Sequence, residues 1–288
     1  MKVLALGAAG QVGRAVVAVR PKADQCVALD RSELNITNVA AVTASMQRDR
    51  VDWVSNCAAY TAVDQAESEP AIAQAINDDA VAGITASARC SGTRLLHLST
   101  DFVFDGRGDT AYRPEGEVNP LSAYGSTKLA SERHALELPD GIVLRTSWAY
   151  ASYGGNFVLT MLKMMRERGE VRVVTDQRGW PTWATGLAQA TWAMIDKALS
   201  GGIYHWCDQG VTSWHQFAAA IKEEAMVVSV FSRRIPVWPL AIANFPTRAV
   251  RPAFSALDTT STCEALGLKT IDWRLQLRRM LTEFMPCG

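Results

Sequence analysis

The sequence predicts an α/β protein, a doubly wound parallel sheet with a smaller C-terminal lobe. Three observations carry this. Strand and helix signals alternate through the first half, a glycine-rich turn joins the first strand to the first helix, and the regular alternation is lost from about residue 151 onward. With 288 residues and 48% hydrophobic side chains, the chain can bury one large core, or a large and a small one. The reading therefore divides it into residues 1–150 and an interleaved remainder, 151–288.

Taken in order, Lys2-Val-Leu-Ala-Leu6 reads as a buried strand and Ala15-Val-Val-Ala-Val19 as a helix. Gln25 to Leu29 and Val51 to Ser55 are the next strands. Glu69 to Cys90 reads as one long alanine-rich helix, followed by strands at Arg94 to Leu98 and Gly141 to Arg145. Helical stretches between parallel strands imply right-handed crossovers, with ligands at the carboxyl ends of the strands. Beyond residue 151, Asn156 to Arg168 reads as an amphipathic helix, Val171 to Val174 as a short strand, and Trp214 to Ala225 and Trp273 to Phe284 as further helices.

Gly7, Gly10 and Gly13 recur at every third position between the first strand and the first helix. Glycines there let the backbone turn tightly and approach a pyrophosphate, which meets the free amides and positive dipole end of the helix. Gln25 to Leu29 ends at Asp30, near the distance at which an acid meets the adenosine ribose hydroxyls, while the adjacent Arg31 suits a 2′-phosphate. The pattern predicts a Rossmann-type dinucleotide site and leaves NADH and NADPH both open.

Composition narrows the field further. Twenty-nine basic and twenty-nine acidic residues cancel, so no global field recruits nucleic acid or an anionic membrane. No run is apolar and long enough for a membrane span, and Gly7, Gly10, Gln11 and Arg14 interrupt what would be a signal-peptide core. The expected location is the cytoplasm. Cys26, Cys57, Cys90, Cys207, Cys263 and Cys287 are scattered without a Cys-x-x-Cys, which fits reduced thiols. His97, His134, His205 and His215 lack ligand spacing, so a metal is not expected and the histidines are read as structural.

Tyr124 and Lys128 lie four apart, one turn of a helix, so a phenol and an ammonium share a face. A nearby cation favours the phenolate and lowers the phenol's pKa, which suits proton transfer to a carbonyl or alkoxide oxygen. The spacing alone arises easily by accident. Ser99-Thr-Asp101 supplies a second hydroxyl, with Thr100 the candidate for orienting that oxygen; a plain cap for the next element is the alternative.

Together, Gly7-x-x-Gly10-x-x-Gly13, Ser99-Thr-Asp101 and Tyr124-x-x-x-Lys128 resemble the extended short-chain dehydrogenase/reductase family, nucleotide-sugar branch. Further stretches extend the likeness over nearly the whole length: Ala58-Ala-Tyr-Thr-Ala-Val-Asp64, Arg145-Thr-Ser-Trp-Ala-Tyr150, Pro181-Thr182 and Arg251-Pro252. The resemblance implies reduction of the C4 keto group of a nucleotide-linked 4-keto-6-deoxy sugar by NADPH or NADH. Tyr124 would protonate the alkoxide, Lys128 would hold the nicotinamide ribose, and Thr100 would tune the transfer. By matching positions, Gly10, Gln11, Val12, Asp30 and Asn35 would meet the cofactor, with Ala59, Tyr60 and Thr61 near its middle and Leu98 beside the nicotinamide. Thr100, Asp101 and Trp148 would meet the sugar nucleotide. Arg251 is read either as a fork for the diphosphate or as half of a surface ion pair.

The chain departs from the family pattern at several positions. Phe102 stands where tyrosine is frequent and Asn35 where aspartate is common. Arg14 and Ala15 replace a glutamate that helps bind magnesium at a dimer interface in some relatives, so no magnesium is expected; a homodimer is compatible with the reading. Trp180 and Trp183 have no assigned role. The rival readings are another reductase or an epimerase of the same branch, and a non-catalytic regulatory subunit that kept the dinucleotide fold. The retained Thr100, Tyr124 and Lys128 argue against the last.

Overall fold

Alternate residues of the first strand face opposite ways, and both sets are apolar. In the computed structural model, which describes residues 1–232, 234–245 and 247–284, Val3 and Ala5 enter one hydrophobic cluster and Leu4 and Leu6 another. Leu96, Ile142 and Leu144 belong with the first pair, Leu95 and Val143 with the second. Such strands are buried on both faces, as a parallel sheet covered by two helical layers requires.

The sheet contains β1 (Lys2–Leu6), β2 (Gln25–Leu29), β3 (Trp53–Asn56), β4 (Arg94–Thr100), β5 (Ile142–Thr146) and a last strand, Gly202–His205. All five pairings are parallel, and the spatial order runs β2, β1, β3, β4, β5, Gly202–His205. The order reverses direction between β1 and β3, and there the crevice of a doubly wound sheet opens. The last strand comes from the second half of the chain and completes the sheet of the first. The helix Ala184–Asp196 likewise packs on the first helix, α1 (Gln11–Ala18), where Trp192 donates its indole N–H to the Val16 carbonyl at 2.8 Å.

Two expectations change. The stretch from Glu69 to Cys90 is not one helix: Pro70–Gln74 runs into a π-helical turn, Ala75–Asp79, before the helix Ala80–Ser91 resumes. The extra residue of a π turn re-aims side chains, and here it directs Asn77 at the Tyr60 loop. In addition, the helices Val39–Asp49, Ala184–Asp196 and Thr260–Leu266 and the strand Gly202–His205 had not been anticipated.

A separate core supports the smaller lobe. Phe157–Arg168, Trp214–Val227 and Trp273–Phe284 enclose Val158, Phe217, Ile221, Leu277 and Met280, with Val171–Val174 pairing to Val237–Leu240 beside them. Asn156 and Ser213 cap the first two of these helices through their side chains, the latter in a reciprocal capping box with Gln216. Among the described residues no helix is long and apolar enough to cross a membrane. The five described cysteines are free, and Cys287 lies outside the described residues.

Candidate active site

The glycine turn is built for close approach. Gly7 has φ +74°, and a Cβ on Gly13 would sit 2.2 Å from the Gly7 carbonyl oxygen, so α1 can pack against the turn only without that atom. No side chain caps the start of α1, and the first intrahelical bond is Arg14 N–H to the Gly10 carbonyl at 2.9 Å, which leaves the amides of Gln11, Val12 and Gly13 without helical partners. The Gln11 side chain donates to the Gly155 carbonyl at 3.1 Å, and Val12 joins the core, so these two residues offer backbone rather than side chains to a ligand.

Beside this turn runs a groove of about 550 Å³ lined by Gly7, Gly10, Asp30, Arg31, Ala59 and Tyr60. One carboxylate oxygen of Asp30 accepts the Ser32 amide and hydroxyl at 2.7 and 2.6 Å, and these bonds hold its pKa below the usual carboxylate value. Arg31 is exposed at the rim, and Asn35 takes part in a local turn with Thr37. Ala59, Tyr60 and the exposed Thr61 follow β3; Tyr60 donates its amide to Asn77 at 2.7 Å, and Asn77 returns a bond to the Tyr60 carbonyl. Asn77 also donates to the Thr127 hydroxyl at 3.2 Å and so ties this loop to the helix that carries Tyr124. Sequence reasoning missed Asn77, because its role depends on the π turn.

That helix, Ala123–Ala135, starts at Ser122, whose hydroxyl accepts the Gly125 amide at 3.1 Å. A Cβ on Gly125 would come within 2.3 Å of the Phe102 carbonyl oxygen. The helix therefore lies tight against the end of β4, and this sets Tyr124 beside Thr100. The phenol is buried beside the Thr100 hydroxyl and flanked edge-on by Phe102 at 5.5 Å between ring centroids. Thr100 also donates to Asp101 at 3.1 Å. Burial pushes the Asp101 carboxyl up to about 6.

The relation between Tyr124 and Lys128 differs from expectation. Burial pushes the phenol up to about 12, opposed by the neighbouring Thr100 hydroxyl, and brings the Lys128 ammonium down to about 7. Lys128 does not depress the phenol, because its Nζ is turned away, to the Leu98 carbonyl at 2.6 Å and His97 Nε2 at 2.9 Å. His97, read from the sequence as structural, is thus a direct neighbour of Lys128. Nothing in its sequence spacing marks it.

On the lobe side, Trp148 has φ +44°, a strained value for a bulky residue, and its indole stacks on Trp214 at 3.5 Å and 8° between planes. A cavity of about 370 Å³ opens nearby between Phe157, Trp214, Gln177 and Arg251. Arg251 makes a two-point ion pair with Asp64, 3.1 and 2.6 Å, so of its two readings this arrangement shows the ion pair; with a further bond to the Ala249 carbonyl at 3.4 Å, three of its donors are engaged. Trp183 fills the lobe core, and the Trp180 carbonyl accepts from Ser147.

Comparison with known proteins agrees with the geometry. Residues 1–285 match the family model described as the RmlD substrate binding domain. The dTDP-4-dehydrorhamnose reductase of Aggregatibacter actinomycetemcomitans is 38% identical over 97% of this chain and 98% of its own, and that of Streptomyces griseus is 40% identical over 99% and 94%. The crystal structure of the Bacillus anthracis dTDP-4-dehydrorhamnose reductase in complex with NADP superposes with a TM-score of 0.92, at 33% identity over 98% of this chain and 99% of that one. This chain belongs to the dTDP-4-dehydrorhamnose reductase family.

Proposed function

We propose that the protein reduces the C4 keto group of dTDP-4-dehydro-L-rhamnose to give dTDP-L-rhamnose, using NADPH or NADH. The observation that carries this is the buried Tyr124 phenol beside Thr100 at the end of β4, on the same sheet edge as the glycine turn. The residues fit a dinucleotide: Gly7 and Gly13 have no room for a Cβ, α1 begins with unpartnered amides, and the groove continues to Asp30. Gly10, Gln11, Val12 and Gly13 would hold the pyrophosphate through their amides, Asp30 or Arg31 would meet the adenosine ribose or its 2′-phosphate, and Asn35 would lie at the adenine end. Ala59, Tyr60 and Thr61 would line the middle, with Leu98 and Lys128 at the nicotinamide ribose. When bound, the nicotinamide supplies the hydride.

Tyr124 keeps its proton throughout the neutral range, and an alkoxide is far more basic than a phenolate, so transfer from Tyr124 to the C4 oxygen runs downhill. Thr100, donating to that oxygen, would orient it and stabilise its growing charge. Asp101 and Trp148 would bound the sugar. Arg251, released in part from Asp64, would add a donor for the diphosphate. The relative that carries NADP supports NADPH, and Arg31 gives a 2′-phosphate a cation to meet. The expected partner is thus a nucleotide sugar, and the expected setting the cytoplasm; a homodimer is compatible.

The test mixes the protein with dTDP-4-dehydro-L-rhamnose and either reduced cofactor and follows nicotinamide absorbance. Oxidation that depends on the sugar nucleotide is expected. No oxidation with either cofactor, despite cofactor binding, would favour a regulatory subunit instead.

A further inference from the structure

Asn56, at the end of β3, presents its carboxamide oxygen to the Ala58 amide at 3.1 Å. A flip would set two donors against each other, so the orientation is settled, and the Asn56 NH2 group faces His97 Nδ1 at 3.1 Å. Nδ1 therefore accepts. Burial pushes the His97 pKa well below its ordinary value, so the ring is neutral, and its single proton resides on Nε2. Two groups face that proton at 2.9 Å each, the Ser131 hydroxyl oxygen and Lys128 Nζ. Ser131 gives its own proton to the Lys128 carbonyl at 2.6 Å.

An ammonium in this position would set an N–H donor against another donor. An uncharged amine fits: it donates one N–H to the Leu98 carbonyl and accepts the His97 Nε2 proton on its lone pair. Of the other groups facing Lys128, Glu132 favours the charged form, against the larger effect of burial. Glu132, one turn along the same helix, is engaged by Arg145 at 2.6 and 2.8 Å, and Cys57 after β3 stays a thiol because burial pushes it up to about 12. Tyr124 stays neutral as well, and Asp101 faces Tyr124.

We propose that His97, oriented by Asn56, holds Lys128 uncharged in the free protein, and that binding of the nicotinamide ribose draws a proton from solvent onto Lys128. This rests on the reading of the site as a nicotinamide-cofactor site. Ribose hydroxyl oxygens accept from an ammonium, so the bound cofactor favours the charged form, while the His97 Nε2 proton turns to Ser131. The proton comes from water or buffer and ends on Nζ; no other bond changes. Cofactor binding would thereby place a cation at the nicotinamide ribose only when hydride is at hand. His97 is accordingly a positioning residue that acts through Lys128.

Calorimetric titration of the protein with NADH, in two buffers of different protonation enthalpy, reads the proton count directly. NADH carries no 2′-phosphate of its own to titrate, and NADPH serves as the parallel probe. The expected result is uptake close to one proton at pH 8 and close to none at pH 6, with the dissociation constant rising about tenfold per unit between pH 8 and 9. Asn56→Asp removes the donor to Nδ1, lets the ring carry its proton there and turns Nε2 into an acceptor for an ammonium; uptake at pH 8 should vanish while binding persists. Binding without uptake by the unaltered protein overturns the inference alone, as does full uptake in a binding-competent Asn56→Asp. Failure of both cofactors to bind overturns the reading of the site and this inference with it.

Discussion

Arg145 and Glu132, the latter on the helix that carries Tyr124, meet in a two-point ion pair, Nε to Oε1 at 2.8 Å and Nη2 to Oε2 at 2.6 Å, with both side chains only 2% exposed. Glu132 also accepts from Ser99 on β4, and Arg145 donates to the Pro114 carbonyl at 3.1 Å. One buried carboxylate thus fastens the Tyr124 helix to two strands. Removing one member of a buried pair leaves the other charge uncompensated, at a cost of about 3–5 kcal/mol. Glu132→Gln is predicted to lower Tm by on the order of 10 °C in thermal denaturation. An unchanged Tm would show that the pair adds nothing to holding the helix.

The glycine turn yields a sharper prediction. A methyl group on Gly13 would meet backbone at 2.2 Å, which no side-chain rotation relieves. Gly13→Ala should displace α1 and reduce affinity for either cofactor by a factor of a hundred or more, roughly 3 kcal/mol. Fluorescence titration with NADPH measures this. Affinity within a factor of two of the unaltered protein would mean that the turn does not form the cofactor cradle.

Asp30 is predicted to separate the cofactors. Its second carboxylate oxygen is the group suited to ribose hydroxyls, whereas a 2′-phosphate would be repelled by it and drawn to Arg31. Asp30→Ala should weaken NADH more than NADPH, measured as the ratio of the two dissociation constants. Equal losses would mean that Asp30 does not read the ribose.

Asp208 gives the fold a pH dependence away from the site. Burial raises its carboxyl to about 8, against which the Trp183 amide, donating at 2.8 Å, pulls down. The folded protein keeps this proton where the unfolded chain, titrating near the ordinary value of about 4, has lost it. Folded molecules therefore bind more protons between about pH 4 and 8, and this contribution to stability falls as pH rises across that window. Asp208→Asn keeps an acceptor for the Trp183 amide and removes the charge, so Tm should rise at pH 8 far more than at pH 5. A parallel pH dependence in both proteins would contradict the assignment.

Much of the fold was legible because short, mostly apolar runs mark the strands: Lys2–Leu6, buried on both faces, and the partly exposed Gln25–Leu29 and Val171–Val174 have the bounds read from the sequence. Val39–Asp49 escaped notice because its buried side chains, Val42, Ser45 and Met46, make a weak apolar stripe, and its start depends on the Asn38 cap. The break at Ala75–Asp79 has no compositional mark, since a π turn is a register change in an otherwise helical run. In the site, Tyr124, Lys128 and Thr100 could be read from spacing and resemblance, but the direction in which Lys128 points could not. That direction is set by His97, Asn56 and Ser131, which come together from two strands and a helix, and no local pattern records it.

The central claim is that Tyr124 delivers the proton to the C4 oxygen. Tyr124→Phe, with dTDP-4-dehydro-L-rhamnose and NADPH, tests it most directly, because only the hydroxyl is lost and the ring can still pack against Phe102. Turnover followed by nicotinamide absorbance should fall by roughly a hundredfold or more, the scale of a lost general acid, while the dissociation constant for NADPH stays nearly unchanged. Turnover equal to that of the unaltered enzyme would contradict the claim.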